Sequence, residues 1–273
     1  MSCEVSLSAN DPRRATLDGA PLRSAEQLRG ALSTLVFTPD RLVIVKGGPA
    51  ARRAYLDRSL ARLYPARSHV ANDYATVVGQ RNAALRRVAL GLSDRDVLAP
   101  WTEQAADLGA ILTASRADVI ALLQPGFAER SSELGLDGAS LGYNPEFPTI
   151  ASLEARLERD IERGTTGVGP HLDEIAVLSG DRDLRMFGSQ GEQRLAVLAL
   201  LLAEAELISA RRHVPPLLLL DDALSELDER RRRVLSERIG AVGQTIVTAT
   251  GAEALPLAPA QLLRVTPGRV DTA

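Results

Sequence analysis

Hydrophobic and polar positions change rhythm several times along this chain. Glu4-Val5-Ser6-Leu7-Ser8 alternates polar and apolar, the period of a half-buried strand. Asn10-Asp11-Pro12 reads as a turn and Ala15-Thr16-Leu17 as the returning strand. A polar helix is expected around Ser24–Leu32, followed by a short buried strand at Leu35-Val36-Phe37 that ends at Thr38-Pro39-Asp40. A hairpin with no core strand before it leads us to expect further chain upstream of Met1.

From about Pro49 to Pro125 the rhythm is helical. Pro49 suits a first helical position, and Tyr55, Leu56, Leu60, Leu63 and Tyr64 form one apolar stripe. A second helix is expected through Tyr74, Val78, Leu85 and Val88. A third carries Trp101, Leu108, Leu112 and Val119 as far as Leu122, and Pro125-Gly126 is expected to stop it. Residues 131–150 read as strands and turns, Ser152–Ile161 as a helix, and Gly164-Thr165-Thr166-Gly167-Val168-Gly169-Pro170 as a loop.

The last third alternates strands and helices. Ile175–Leu178 is strand-like, Gly180-Asp181 a turn, and Gln190 to about Arg211 a long helix broken by Val214-Pro215-Pro216. Leu217–Leu220 is a fully apolar strand, Glu229–Val242 a helix and Thr245–Thr248 another strand. Short apolar strands between helices predict a buried parallel sheet.

Composition changes this picture in two ways. With 273 residues and 45% hydrophobic side chains the chain can bury a large core. A single cysteine, Cys3, excludes internal disulfides and cysteine-based metal sites. No stretch has the length of a membrane span and no signal peptide is expected, so the expected location is the cytoplasm. The net charge of −3 argues against coating nucleic acid by bulk charge. Its distribution is uneven, however. Nine Arg and three Asp lie between Arg52 and Arg95, whereas fourteen acids face five Arg from Asp96 to Glu174. Such asymmetry fits either solvated arginine faces or one face suited to phosphates.

Candidate chemistry gathers in the last third. Asp221 and Asp222 end the apolar strand Leu217–Leu220, and ligands bind at the carboxyl ends of parallel strands. Adjacent acids there suit Mg²⁺ held through water and an oriented attacking water; a plain polar turn is the alternative. Ser225-Glu226-Leu227-Asp228 follows, before a helix. Ser189 and Glu192 have the spacing of a capping box, and Gly188 and Gly191 flank a helix start suited to an anion. A phosphate loop would need Gly-x-x-x-x-Gly-Lys followed by Ser or Thr. Lys46 is the only lysine in the chain, and no such loop is present. The Gly164–Gly169 loop has no Lys and reads as a structural turn.

Together these residues resemble the RecF family, recombination-repair ATPases of the SMC-like branch of ABC ATPases. The resemblance runs through Phe37–Asp40, Val45–Pro49, Arg52–Asp57 and Gln80-Arg81-Asn82. It continues in Gly169-Pro170-His171-Leu172-Asp173-Glu174, the signature-like Ser189–Arg194, the Walker B and D-loop segment Asp221–Asp228, and the switch segment Thr248-Ala249-Thr250. Leu172 stands where the family usually has Arg. Glu192 replaces a usual Gln, which weakens an anion contact unless it points back into the capping box.

The resemblance implies an α/β fold: an incomplete ABC-ATPase (P-loop NTPase) head with a parallel sheet, plus an inserted helical lobe. Residues 1–38 are expected to be a remnant of the head's N-terminal part, 39–130 the lobe, and 131–273 the rest of the head. It also implies ATP and Mg²⁺ as cofactors and a homodimer that binds double-stranded and gapped DNA. RecR and RecO are the implied partners in loading recombinase, within DNA replication, repair and the SOS response. On that resemblance Asp221 places Mg²⁺ and Asp222 polarises water. Ser189, Gln190, Gly191 and Glu192 face the γ-phosphate across the dimer, Asp228 bridges the subunits, and Thr248 senses the phosphate. Arg52, Arg53, Arg81, Arg86 and Arg87 are the candidate DNA contacts. Without a phosphate loop the chain is expected to be an N-terminally truncated form that does not hydrolyse ATP alone. Two alternatives remain: a non-catalytic module docking on a complete ATPase, and a metal-dependent nuclease, which would need further acids to converge on Asp221 and Asp222.

Overall fold

A computed structural model of the chain describes residues 2–6, 14–23, 27, 32–251 and 259–272. The expected turn at Asn10–Pro12 and nearly all of the expected helix at Ser24–Leu32 lie outside the described residues. β1 (Cys3–Ser6), β2 (Arg14–Leu17) and β3 (Ala20–Pro21) form a small antiparallel sheet, with Cys3 opposite Leu17. β4 (Thr34–Phe37) then enters the main core, and a 3-10 turn at Pro39–Leu42 leads to the short α1 (Val43–Lys46).

α2 (Pro49–Leu63) starts on Pro49 and buries Tyr55, Leu56, Leu60 and Leu63 as its stripe requires. α3 (Val70–Ala89) buries Tyr74, Val77, Val78 and Leu85. α4 (Ala99–Glu133) does not stop at Pro125-Gly126 but runs on to Glu133. A proline inside a helix costs about 3 kcal/mol through its lost hydrogen bond and ring clash. Against that, Leu123 and Phe127 are fully buried on either side of it, each contributing about 1.5–3 kcal/mol. Gln124 adds a bridge, its side chain accepting from the Leu141 amide at 2.8 Å. Gly126 lets the neighbouring long helix close in, since a Cβ there would lie 3.2 Å from the Ala203 Cβ. Packing therefore outweighs the local breaker.

β5 (Ala139–Tyr143) follows, then α5 (Ile150–Glu154) and α6 (Leu157–Arg163), so the helix expected over 152–161 is two pieces. β6 (Ile175–Ser179) and β7 (Arg182–Asp183) form a hairpin through Gly180. β6 pairs antiparallel with β5 and β7, not within the parallel sheet expected for it. The tight Gly180-Asp181 turn returns the chain beside β6, which a parallel crossover cannot do.

α7 (Leu184–Phe187) leads into α8 (Gln190–Arg212), whose residues Gln193–Ala205 are all buried. β8 (Leu217–Asp221) lies parallel between β4 and β9 (Thr245–Thr248), with α9 (Glu229–Val242) as the crossover between them. Leu218 sits between Leu35 and Thr245, and Leu220 between Phe37 and Val247. This is the parallel sheet that the apolar runs predicted. β10 (Leu263–Thr266) and β11 (Arg269–Thr272) make a separate hairpin. One core runs continuously from Leu35 through α2, α4 and α8 to Val242, and smaller clusters lie between α3 and its neighbours.

Candidate nucleotide-facing site

β8 delivers its two acids to the surface because the strand's burial ends at Leu220. Asp221 is exposed, and its Oδ1 accepts a hydrogen bond from the Thr248 hydroxyl at 2.6 Å. Asp222 turns the chain with φ of +51°, in the left-handed region that Asp tolerates better than most residues. Its amide donates to the Thr248 carbonyl at 3.3 Å and the Thr248 hydroxyl oxygen at 3.2 Å. Ser225 Oγ donates to Asp222 Oδ2 at 2.9 Å. Thr248 and both acids thus form one connected cluster at the carboxyl end of the parallel sheet.

The start of α8 is the second piece. Ser189 Oγ accepts from the Glu192 amide at 3.2 Å, and Glu192 Oε2 accepts from the Ser189 amide at 2.8 Å, completing the capping box. Arg182 pairs with the other Glu192 oxygen at 2.8 Å. The Ser189 amide and then Arg182 hold the Glu192 carboxyl below the usual carboxylate range. Glu192 therefore points back into the box, and its charge is balanced by Arg182 instead of standing in front of the helix. The amides of Gln190 and Gly191, in the first helical positions, have no intrahelical acceptor.

The two flanking glycines differ. A Cβ on Gly188 would lie 2.5 Å from the Leu184 carbonyl oxygen, so local packing alone requires that glycine. A Cβ on Gly191 would meet nothing closer than Ser189 Oγ at 3.9 Å. Nothing inside the chain demands glycine at 191, and its bare surface is open to approach from outside.

Arg194 joins the two pieces, a role that spacing alone did not reveal. Its side chain is 3% exposed and lies over the Phe37 ring at 5.5 Å. It pairs with Glu226 at 2.9 Å and donates to the Asp222 carbonyl. Arg232 adds a bond from Nε to the Leu224 carbonyl at 3.0 Å. The available signal was an arginine at the start of the helix's long apolar run, because a buried guanidinium must find acceptors. Asp228 caps α9, accepting from the Arg231 amide at 2.8 Å, and its carboxylate remains exposed.

The Gly164–Glu174 segment is built differently. Asn82 takes the Thr166 amide at 2.7 Å, and Asp160 takes the Gly167 amide at 3.1 Å, so these amides are already used. A Cβ on Gly169 would fall 2.3 Å from the Tyr74 hydroxyl. His171 Nε2 contacts the Thr166 carbonyl at 2.9 Å and Nδ1 the Tyr74 hydroxyl at 2.8 Å. A carbonyl can only accept, so Nε2 carries the hydrogen and Nδ1 accepts from Tyr74. Burial lowers the His171 pKa, in keeping with a neutral ring. Asp173 accepts from Tyr143 at 2.6 Å, and Arg116 donates to the Pro170 carbonyl at 2.6 Å. Leu172 points outward, 56% exposed.

These contacts correct two of the expected DNA-facing arginines. Arg52 is buried, pairing with Glu174 and donating to the Gly47 carbonyl at 2.8 Å. Arg81 has no exposed surface and is held by Asp160 and Thr166, each at 2.9 Å. Neither can reach a phosphate outside the fold. Arg53 is half-buried and spends one donor on the Asp173 carbonyl at 2.8 Å, while Arg86 and Arg87 are exposed on α3.

Asp221 and Asp222 at the sheet edge have the chemistry to meet a hydrated cation, and the open helix start that to meet an anion. Lys46, at the end of α1, does not belong to a glycine-rich loop of phosphate-binding length. Among the described residues no group of three or more His, Cys, Asp or Glu could hold a metal ion, and no helix is long and apolar enough to cross a membrane.

No family model matches the chain. Individual relatives do. It is 35% identical over 257 residues to the DNA replication and repair protein RecF of Lachnoclostridium phytofermentans, covering 92% of this chain and 71% of that protein. It is 39% identical over 259 residues to RecF of Anaeromyxobacter dehalogenans, covering 87% of this chain and 68% of that one. Among solved structures, the recombination mediator protein RecF-ATP of the RecFOR pathway superimposes with a TM-score of 0.82 at 25% identity, over 99% of this chain and 75% of the other.

Proposed function

The chain belongs to the RecF family of DNA replication and repair proteins, SMC-like ABC ATPases, and on that footing we propose that it supplies one face of a composite ATP site in recombinational repair. The observation that carries this reading is the Arg194 joint. One buried guanidinium ties the open start of α8 to the loop that follows Asp222, so the two functional edges are held as one unit.

In this proposal Ser189, Gln190 and Gly191 face the γ-phosphate of a nucleotide held by another subunit, with Glu192 kept aside by its capping box. Free amides at a helix start and the positive end of its dipole favour that anion. At the other site, where the nucleotide needs a phosphate loop in cis, Asp221 would hold Mg²⁺ through water and Asp222 would orient the attacking water. Thr248, bonded to Asp221, couples the phosphate to the neighbouring strand, and Asp228 bridges to the partner. ATP with Mg²⁺ would supply the phosphoanhydride bond whose hydrolysis by water, releasing ADP and phosphate, lets the subunits part. The family setting extends the proposal to a cytoplasmic dimer on double-stranded or gapped DNA, acting with RecR and RecO.

The chain has no lysine-bearing phosphate loop, so the reading predicts that it does not turn over ATP by itself. ATPase assays of the chain alone, and mixed with a complete RecF relative, test both halves. We expect background hydrolysis alone, and stimulation of the relative that is lost in Ser189→Ala. Turnover by the chain alone that vanishes in Asp222→Asn, or no effect on the relative, would overturn the proposal.

A further inference from the structure

With Arg52 and Arg81 turned inward, positive charge gathers on another face. Six guanidiniums come together around the C-terminal half of α2 and the last turn of α8. Arg41 and Arg62 line one pocket with Tyr55 and Glu204. Arg58 stands one helical turn before Arg62. Arg212 donates to the Arg62 carbonyl at 2.9 Å, and Arg211 to the Leu63 carbonyl at 3.4 Å. Arg211 and Arg67 both lie over the Tyr64 ring, at 4.7 and 5.1 Å.

Part of this cluster serves the fold. Arg62 neutralises the buried Glu204 at 2.9 Å, and Arg67 pairs with Asp118 at 2.9 Å. Arg211 and Arg212 satisfy carbonyls at the end of α2, as cations near a helix C-terminus do. Each guanidinium has five donors, however, and for Arg62, Arg67 and Arg211 these duties use only some of them. The guanidiniums of Arg41 and Arg58 make no hydrogen bond or ion pair among the described residues. After burial, the neighbouring Arg41 and Arg62 are what lower the Arg58 pKa, a sign that these like charges feel one another. A fold gains nothing from crowding two unpaired arginines against four others, whereas an anionic ligand relieves that repulsion.

We propose that this face binds the phosphate backbone of duplex DNA. Planar guanidiniums match phosphate oxygens in pairs, and Arg58 and Arg62 repeat at about 6 Å along α2, a spacing that can follow successive phosphates. The choice of DNA as the polyanion rests on the function proposed above. The location does not, because Arg41 and Arg62 line their pocket with Val197, Leu201 and Glu204, eight to fifteen residues along α8 from Ser189 and so roughly 12–22 Å away. DNA contact here and nucleotide contact at Ser189 are therefore separable by mutation.

The test is anisotropy of a labelled duplex oligonucleotide titrated with the full chain at several salt concentrations. Arg41→Gln/Arg58→Gln is expected to bind more weakly throughout, with the slope of log affinity against log salt shallower by about two. Arg159→Gln/Arg163→Gln, both exposed on α6, is expected to change neither quantity. Stimulation of a complete relative's ATPase should survive in both variants, which separates failure here from failure of the composite-site reading. Unchanged affinity and slope in Arg41→Gln/Arg58→Gln would overturn the proposal and leave the face to an acidic protein. Absence of duplex binding by the native chain would overturn it as well.

Discussion

Two polar regions stand out, and they use their polarity in opposite ways. In the Gly164–Glu174 segment and its surroundings, Arg81, Asp160, Asn82, Thr166, His171, Tyr74, Arg116 and Asp173 bond to one another or to the nearby backbone, mostly out of water. At the edge formed by Ser189–Glu192 and Asp221–Asp228, the carboxylates of Asp221, Glu226 and Asp228 stay exposed with spare lone pairs, and Gly191 faces open space. A dense polar motif is thus no evidence of a binding site by itself. Bonding capacity left over at the surface is what separates a site from a scaffold.

The sharpest way to break this contrast is Asp160→Ala. It leaves the fully buried Arg81 guanidinium without its carboxylate, and breaking a buried pair costs about 3–5 kcal/mol. Urea denaturation should show a lower midpoint whose extrapolated free energy falls by that amount, a large fraction of the roughly 5–15 kcal/mol that holds a domain folded. A shift no larger than that of an exposed substitution would mean that the segment is not the rigid scaffold described.

Arg194→Met probes the bridge between the two kinds of region. Methionine can fill the space over Phe37 but loses the bonds to Glu226 and the Asp222 carbonyl, at about 1–3 kcal/mol. The same variant should lose its Ser189-dependent effect on a complete relative while remaining folded at room temperature. Retained stimulation would show that the two edges do not depend on the joint.

Glu192→Gln should have the smallest effect, within about 0.5 kcal/mol near neutral pH, because an amide oxygen can still accept from Ser189 and only an exposed ion pair is lost. The pH dependence is more telling. The carboxyl pKa lies below its ordinary 4.5 in the folded state, so its contribution is present above that value and is lost as pH falls through the lower folded one. Melting curves across this acid range should show a shallower decline for the glutamine variant than for the native chain.

Much of this could be read from the chain before any coordinates. The stripe of α2, the apolar run of β8 and the Ser189–Glu192 spacing each specify a local geometry, and each appears as expected. Local rules failed where distant packing intervened. Pro125 reads as a helix end, yet α8 packs against Gly126 and carries α4 onward. Ile175–Leu178 reads as another strand of the parallel sheet, yet Gly180 folds it into an antiparallel one.

Charge was the least legible feature. Counting arginines between Arg52 and Arg95 identified a basic stretch but could not say which side chains faced water. Arg52 and Arg81 are spent inside, whereas Arg211 and Arg212, far away in sequence, join Arg58 and Arg62 on one face. The sequence by itself determined the family, the parallel sheet with its acid tip, and the capped start of α8, because these depend on residues close together in the chain. Tertiary structure decided where Glu192 points, what Arg194 holds, and which arginines remain available, because electrostatic partners are chosen by distance in space and by exclusion of water.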